Sequence, residues 1–324
     1  MPGSPREDPQ ELDRVRSELL AFFDTMRTAA GAEEPGGAGG PDPGFYAHLP
    51  ELVITPGVRH RIGGAILMTL DADQWARMDS SFDTSSSKAA YTTAAPVFAF
   101  FPRNGSAPQD FPCDEVSLIH RSLLIASGRK LPDPALSIHY HYRSVRTISR
   151  QIGAHGREAL LYSRRWTLHV GKRSARKARR VFDDLAQLSH RSQLSPEDSA
   201  LDAAVDTLSR TASTHLAPAT EFVHCVVALE ALLIPGVTEN IRAEFAARLH
   251  AVCSPGGGDT SLGPALGRLI YRVRDALLHG GDCDKILRKA GSDPRRFFPV
   301  ARKALAKCTE NLLTAPGAMG GGGR

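Results

Sequence analysis

Beyond Ser195 the hydrophobic pattern of this chain changes character: apolar residues recur at helical intervals, and proline, glycine or both separate one run from the next. The pattern predicts helices over 196–215, 218–234, 238–254, 262–279 and 293–314. Ser195, Pro196, Glu197 and Asp198 open the first of them, a serine cap followed by proline and early acids. A domain boundary near 193 follows, with an all-α carboxyl-terminal domain over residues 193–316.

Upstream, residues 46–192 mix short β-branched or aromatic runs with two helical patterns, which predicts an α+β domain of no assignable type. Expected strands are 51–55, 60–70, 91–101, 135–148 and 159–170, and expected helices are 114–127 and 173–190. Residues 1–45 read as a helix over 9–30, carried by Leu12, Val15, Leu19, Leu20 and Phe23, and then a Gly/Pro/Ala-rich linker. The glycine-rich tail, 317–324, is expected to be disordered. The length suits two domains, and 42% hydrophobic residues suffice for sizeable cores.

Five cysteines without a paired C-x2-C spacing suggest reduced thiols rather than a disulfide framework or zinc site. The first residues lack a basic stretch followed by an apolar one, so no signal peptide is expected. The most apolar run, Phe222 to Ile234, is too short to span a bilayer and contains His224 and Glu230. A cytoplasmic protein without membrane contact is the expectation. Charge is uneven: residues 141–180 contain 12 Lys or Arg and one acid, Glu158, whereas the whole chain is only +5. On the helix over 173–190 and just before it, Lys172, Arg173, Arg176, Lys177 and Arg180 share one face opposite Ala178, Val181, Phe182, Leu185 and Leu188. Such a face suits phosphate binding without sequence preference, or is simply solvated.

Residues Tyr271 to Gly281 concentrate chemistry at the end of an apolar helix. The spacing Arg-x4-His alone is unremarkable, because Arg150/His155, Arg164/His169, Arg210/His215 and Arg274/His279 all share it. Only the last lies on an aliphatic stripe, Leu266, Leu269, Ile270, Val273 and Leu277, that two glycines close. On an ideal helix Arg274 and His279 stand about 140° apart, so meeting on one ligand needs a distorted helix end or a second chain. Asp275 and His279 are four apart, which makes Asp275 the expected orienter of the imidazole. Arg272 shares the face of His279 and competes with Arg274. Upstream, Glu230 stands among the apolar residues of a helix whose stripe is Phe222, Val226, Leu229 and Leu233. A carboxylate so placed needs a cation, and Arg274 or Arg248 are the candidates.

His139 and His141 lie on one side of a strand, a spacing some metal sites use, but no third ligand can be named and no metal site is assigned. Gly256 to Gly258 lack the Lys-Ser/Thr that a phosphate-cradling loop needs, and no cofactor is expected.

The segment Phe222 to Pro235, with Ala-Leu-Glu-Ala-Leu-Leu at 228–233, then Ala246 to Arg248, then Tyr271 to Gly281, resembles the HEPN superfamily in its ApeA-like branch. The superfamily signature is an arginine followed by Asn, Asp or His and then, after a short gap, by histidine. Arg274 with Asp275 fits this form, whereas Arg272 precedes Val273. The resemblance implies that residues 193–316 form an antiparallel helical bundle that pairs with a second copy and brings two Arg/His motifs into one cleft. It further implies a metal-independent endoribonuclease used in antiphage defence or toxin-like growth arrest, with RNA as substrate and an antitoxin or a phage-derived trigger as possible partners. In that reading Arg274 binds phosphate, His279 moves the proton, and Asp275, Glu230 and Arg272 support them. Other members are non-catalytic dimerising or nucleotide- or RNA-binding modules, which is the alternative.

Overall fold

A computed structural model of the chain describes residues 44–49, 51–70, 74, 97–102, 112–134, 136–141, 144–150, 168–213, 216–254 and 262–315. The chain divides into two compact units, residues 1–116 with 132–172, and residues 117–131 with 173–324. The expected helix over 9–30 and the tail 317–324 lie outside the described residues.

The first unit is built on a six-stranded antiparallel sheet. In chain order its strands are β1 (Gly44–His48), β3 (His60–Ile62), β4 (Ala65–Thr69), β5 (Val97–Pro102), β6 (Leu136–His141) and β7 (Ser144–Arg150), and across the sheet they run β3-β4-β5-β1-β6-β7. A parallel pair, β2 (Leu52–Val53) with β8 (Leu168–His169), stands apart from it. β1 is central and buried along its whole length, as the sheet middle requires when both faces are covered. Tyr46 stacks on Phe100 with ring centroids 4.7 Å apart. A Cβ at Gly44 would sit 2.3 Å from the Phe101 carbonyl oxygen, so only glycine admits so close a neighbouring strand.

Several boundaries differ from the sequence reading. The linker was expected to reach residue 45, yet Gly44 and Phe45 already belong to β1. The run 60–70 is two strands because Gly63, with φ of 56°, turns the chain between them. The run 135–148 likewise divides into β6 and β7.

The second unit is helical. Its helices are most of α1 (Cys113–Ser127), then α2 (Lys172–Ser189), α3 (Pro196–Ser213), α4 (Pro218–Leu233), α5 (Ile241–Cys253), α6 (Pro264–Leu278), α7 (Cys283–Lys289) and α8 (Pro294–Leu313). The sequence pattern missed α7, whose seven residues are too few to show a period. Ser195 caps α3 as expected: its hydroxyl accepts from the Asp198 amide at 3.1 Å. The division between units lies at Lys172/Arg173 rather than near 193. α2 belongs to the bundle because Val181, Leu185 and Leu188 enter the same core as Phe222, Leu229, Phe245, Ile270 and Leu305. The chain is thus α+β and then helical, with the helical part beginning one helix earlier than the change of period suggests.

Three local features fix the helix positions. Gly267 of α6 lies against Ala246 of α5, where an added Cβ would come within 2.8 Å of the Ala246 Cα, so small residues set the crossing distance. Arg302 of α8 is buried, and donates to Glu221 of α4 at 2.8 Å and to the Leu208 carbonyl of α3 at 3.1 Å; it also bonds the Thr211 hydroxyl. One guanidinium therefore satisfies groups on two other helices. The buried Cys253 and Cys308 sulfurs are 3.2 Å apart as free thiols, joining α5 to α8. Among the described residues no helix is long and apolar enough to cross a membrane.

Arg302→Ala leaves the Leu208 carbonyl without this donor and Glu221 with Lys130 as its remaining ion-pair partner. We expect a loss of about 3 kcal/mol in urea unfolding, against about 0.5 kcal/mol or less for the exposed Arg295→Ala control.

Candidate functional site

The candidate site forms where α4 and α6 lie side by side. Glu230 faces α6 from the last turn of α4, and Arg274 donates to its carboxylate from Nη2 at 2.8 Å. Both side chains are mostly buried, 17% and 19% exposed, so the pair is screened far less than a surface ion pair. Of the two cations considered for Glu230, Arg274 is the one that meets it. Arg248 instead donates to the Leu233 carbonyl at 3.0 Å, satisfying the end of α4, and to Glu244 at 3.3 Å.

Arg274 has further partners. Its Nη1 donates to Asp275 Oδ1 at 3.1 Å, and the other Asp275 oxygen accepts from Arg242 of α5 at 3.1 Å. Tyr271, one turn earlier on α6, places its ring 5.4 Å from the guanidinium carbon. Burial would lower the Arg274 pKa, but the Glu230 and Asp275 carboxylates outweigh it and hold it above its ordinary value. Burial first, then a hydrogen bond to the Glu230 carboxylate, push the Tyr271 phenol up to about 12. The result is a chain of groups, Arg242, Asp275, Arg274, Glu230 and Tyr271, drawn from three helices. The Arg274 Nε–H is buried without a partner among the described residues.

His279 lies elsewhere in this arrangement. It is the C-cap of α6 rather than a residue of its last turn, with φ of −107° and ψ of 14°, and it is exposed. Its backbone N–H donates to the Asp275 carbonyl at 3.0 Å. Gly280, with φ of 72°, turns the chain, and the Gly281 N–H closes on the Ala276 carbonyl at 2.7 Å. The expected contact between Asp275 and the imidazole is therefore replaced: the Asp275 oxygens go to Arg274 and Arg242, which are cationic and already in reach. Arg272 is exposed on another side of α6, in a groove with Arg242 and Arg268.

The sequence reading missed Tyr271 and Arg242. Tyr271 had a signal, since it precedes Arg274 by three and so shares its face. Arg242 had none, being 33 residues from the carboxylate it meets.

On α2, Lys172, Arg173, Arg176 and Arg180 are exposed, and so is Arg179, which the sequence reading left out. Lys177 departs from that face. It donates to the Ala126 carbonyl at 2.9 Å and pairs with Glu310 at 2.8 Å, because it flanks the buried Val181 line and reaches inward. His139 and His141 lie on β6, His139 in register with Phe45 and Arg146, but their side chains lie outside the described residues. Among the described residues no three His, Cys, Asp or Glu side chains are grouped as a metal site.

No family model matches this chain, and neither does any curated protein or solved structure.

Tyr271 gives the site a pH signature. Its folded pKa of about 12 lies above the ordinary 10, so the stability it confers is complete below pH 10 and is lost as pH rises through 12. Tyrosinate absorbance, taken as the difference between wild type and Tyr271→Phe, should show this late ionisation. Glu230→Gln should move it toward 10, because one of the two carboxylates opposing the phenolate is gone.

Proposed function

We propose that this chain is a metal-independent endoribonuclease of the HEPN type, acting as a homodimer whose two Arg274/His279 motifs share one cleft. The helical half is read as a HEPN-like bundle on the Ala-Leu-Glu segment, the Arg248 region and the Tyr271 to Gly281 motif taken in order. Defence or toxin-like growth arrest in the cytoplasm, under an antitoxin or a phage-derived trigger, follows from the same reading.

The observation that carries it is the apolar surface around the ion pair. Val227, three residues before Glu230, is 47% exposed, and Leu278, four after Arg274, is 48% exposed. Two large hydrophobic side chains thus flank Glu230 and Arg274 on adjoining helices, where a second copy could cover them. Arg242 and Arg274 are matched one for one by Asp275 and Glu230, so the network is neutral and attracts a phosphate only weakly by itself. A second copy brings an equally neutral network, so net positive charge for a phosphate has to come from groups outside these four.

RNA cleavage of this type requires the ribose 2′-hydroxyl in line with the phosphorus, a group to take its proton, and positive charge on the phosphate oxygens as charge accumulates. Arg274 stays charged at any working pH and retains N–H donors beyond those given to Glu230 and Asp275. His279, exposed at the end of α6, exchanges the proton. Glu230 holds the guanidinium in place. The exposed cations of α2 provide a general phosphate-binding face, with Lys177 removed from the set.

The test is cleavage of a long RNA in EDTA by wild type, Arg274→Ala, His279→Ala and the double variant Val227→Glu/Leu278→Glu. Each single variant should lose about a hundredfold or more in rate. The double variant should sediment as a monomer and lose activity with it. Equal cleavage by all four defeats the reading.

The alternative, a non-catalytic dimerising or nucleotide-binding module, has its own support. Arg274 is committed to two carboxylates, and no carboxylate orients the His279 imidazole among the described contacts. In that case the same variants lose assembly or ligand affinity while no form cleaves.

A further inference from the structure

On the side of α6 away from Glu230 lies a groove of about 530 Å³. Its floor is aliphatic, formed by Ala265, Leu266 and Leu269, and Ala290 closes its far wall. Three arginines stand on it: Arg268 and Arg272, one turn apart on α6, and Arg242 at the start of α5. Among the described residues no acid and no aromatic ring belongs to the lining. All three arginines are exposed, and Arg242 pairs with Asp275 while remaining 53% exposed.

We propose that this groove docks an acidic amphipathic helix of a partner protein. Ala265, Leu269, Arg272 and Ala276 succeed one another at intervals of four, three and four, the seam along which a second helix lies. The residues α6 buries fully, Gly267, Ile270, Tyr271 and Val273, belong to other rows; along this row Leu269 packs in part against the core, whereas Ala265 and Arg272 are exposed, so its outer edge is open to a partner. Aliphatic side chains of the incoming helix fill the floor, and carboxylates one turn apart meet Arg268 and Arg272. Single-stranded RNA is the poorer occupant: phosphates would find the arginines, but the bases would find no ring to stack on and would sit on leucine and alanine.

Arg242 ties the groove to the ion-pair network. A partner carboxylate that takes Arg242 competes with Asp275 for it, and Asp275 also holds Arg274. Docking therefore loosens one support of the Arg274 guanidinium. The docking itself is independent of whether the chain cleaves RNA; only the biological meaning of the coupling rests on that proposal.

The probe is a labelled synthetic peptide of four helical turns, with leucine along one stripe and glutamate beside it, read by fluorescence anisotropy with the full chain. A same-composition scramble and an oligouridylate are the competitors. The peptide should bind, the scramble should bind at least about tenfold more weakly, and the oligouridylate should not displace it. Arg268→Glu/Arg272→Glu should weaken binding by about tenfold or more, and a peptide with lysine in place of glutamate should then bind that variant better than wild type. The charge swap separates lost docking from lost folding, since a misfolded variant gains nothing from it. Asp275→Asn, which frees Arg242, should tighten the acidic peptide's binding. Equal binding of scramble and peptide, displacement by the oligouridylate, or no gain from the charge swap overturns the docking. An Asp275→Asn variant that binds no more tightly overturns the coupling.

Discussion

The Glu230–Arg274 pair is the constraint on which the candidate site depends. A carboxylate set in the apolar sequence of α4 has to be met by a cation, and the cation has to come from a helix that packs on α4. The pair therefore dictates which face of α6 turns inward and how far along α4 it docks. Such a pair contributes less to net stability than its contact suggests, since desolvation offsets much of the attraction. Its consequence is positional. With Tyr271 against one side of the guanidinium and Asp275 on another, Arg274 has a fixed orientation rather than the freedom of a surface arginine.

The same device recurs at the centre of the bundle with the opposite outcome. Arg302 is also held by a glutamate of α4, Glu221, but it donates in addition to a carbonyl and a hydroxyl of α3. It is buried and so closed to a ligand, and its role is to hold three helices together. Arg274 differs by having a buried Nε–H without a partner among the described residues and exposed apolar neighbours, which is how a structural arginine and a candidate binding arginine in one bundle can be told apart.

Much of the helical unit was legible because period and punctuation are local: α3, α4, α5, α6 and α8 each begin and end within a few residues of their proline or glycine signals. What failed was non-local or too short. Nothing before Phe45 distinguishes Gly44 as the start of a central strand from another glycine of a linker, because the reason lies in the approach of β5. The apolar face of α2 was legible, but not that it packs with the helices beyond Ser195, because the partner of an apolar stripe is non-local. At the site, asking where a buried carboxylate finds a cation narrowed the partner of Glu230 to Arg274 or Arg248, and the structure decides for Arg274. The partner of Asp275 could not be narrowed in that way. Helical spacing allowed His279, but Arg242 arrives from another helix with a full charge, and the charged hydrogen bond prevails.

Arg272 and Arg274, two residues apart, looked like rivals for one role. On a helix two residues are about 200° of rotation, so they cannot serve one ligand, and the structure assigns them to opposite surfaces. Asp275 stands between those surfaces and is bound by an arginine from each, Arg274 on the ion-pair side and Arg242 at the groove. A single carboxylate shared in this way makes the two surfaces energetically dependent without any rearrangement of the backbone: a change in charge at either arginine alters what the other is offered. The density of arginine in α6 is then not redundancy around one site, but two candidate sites on one helix with an acid in common.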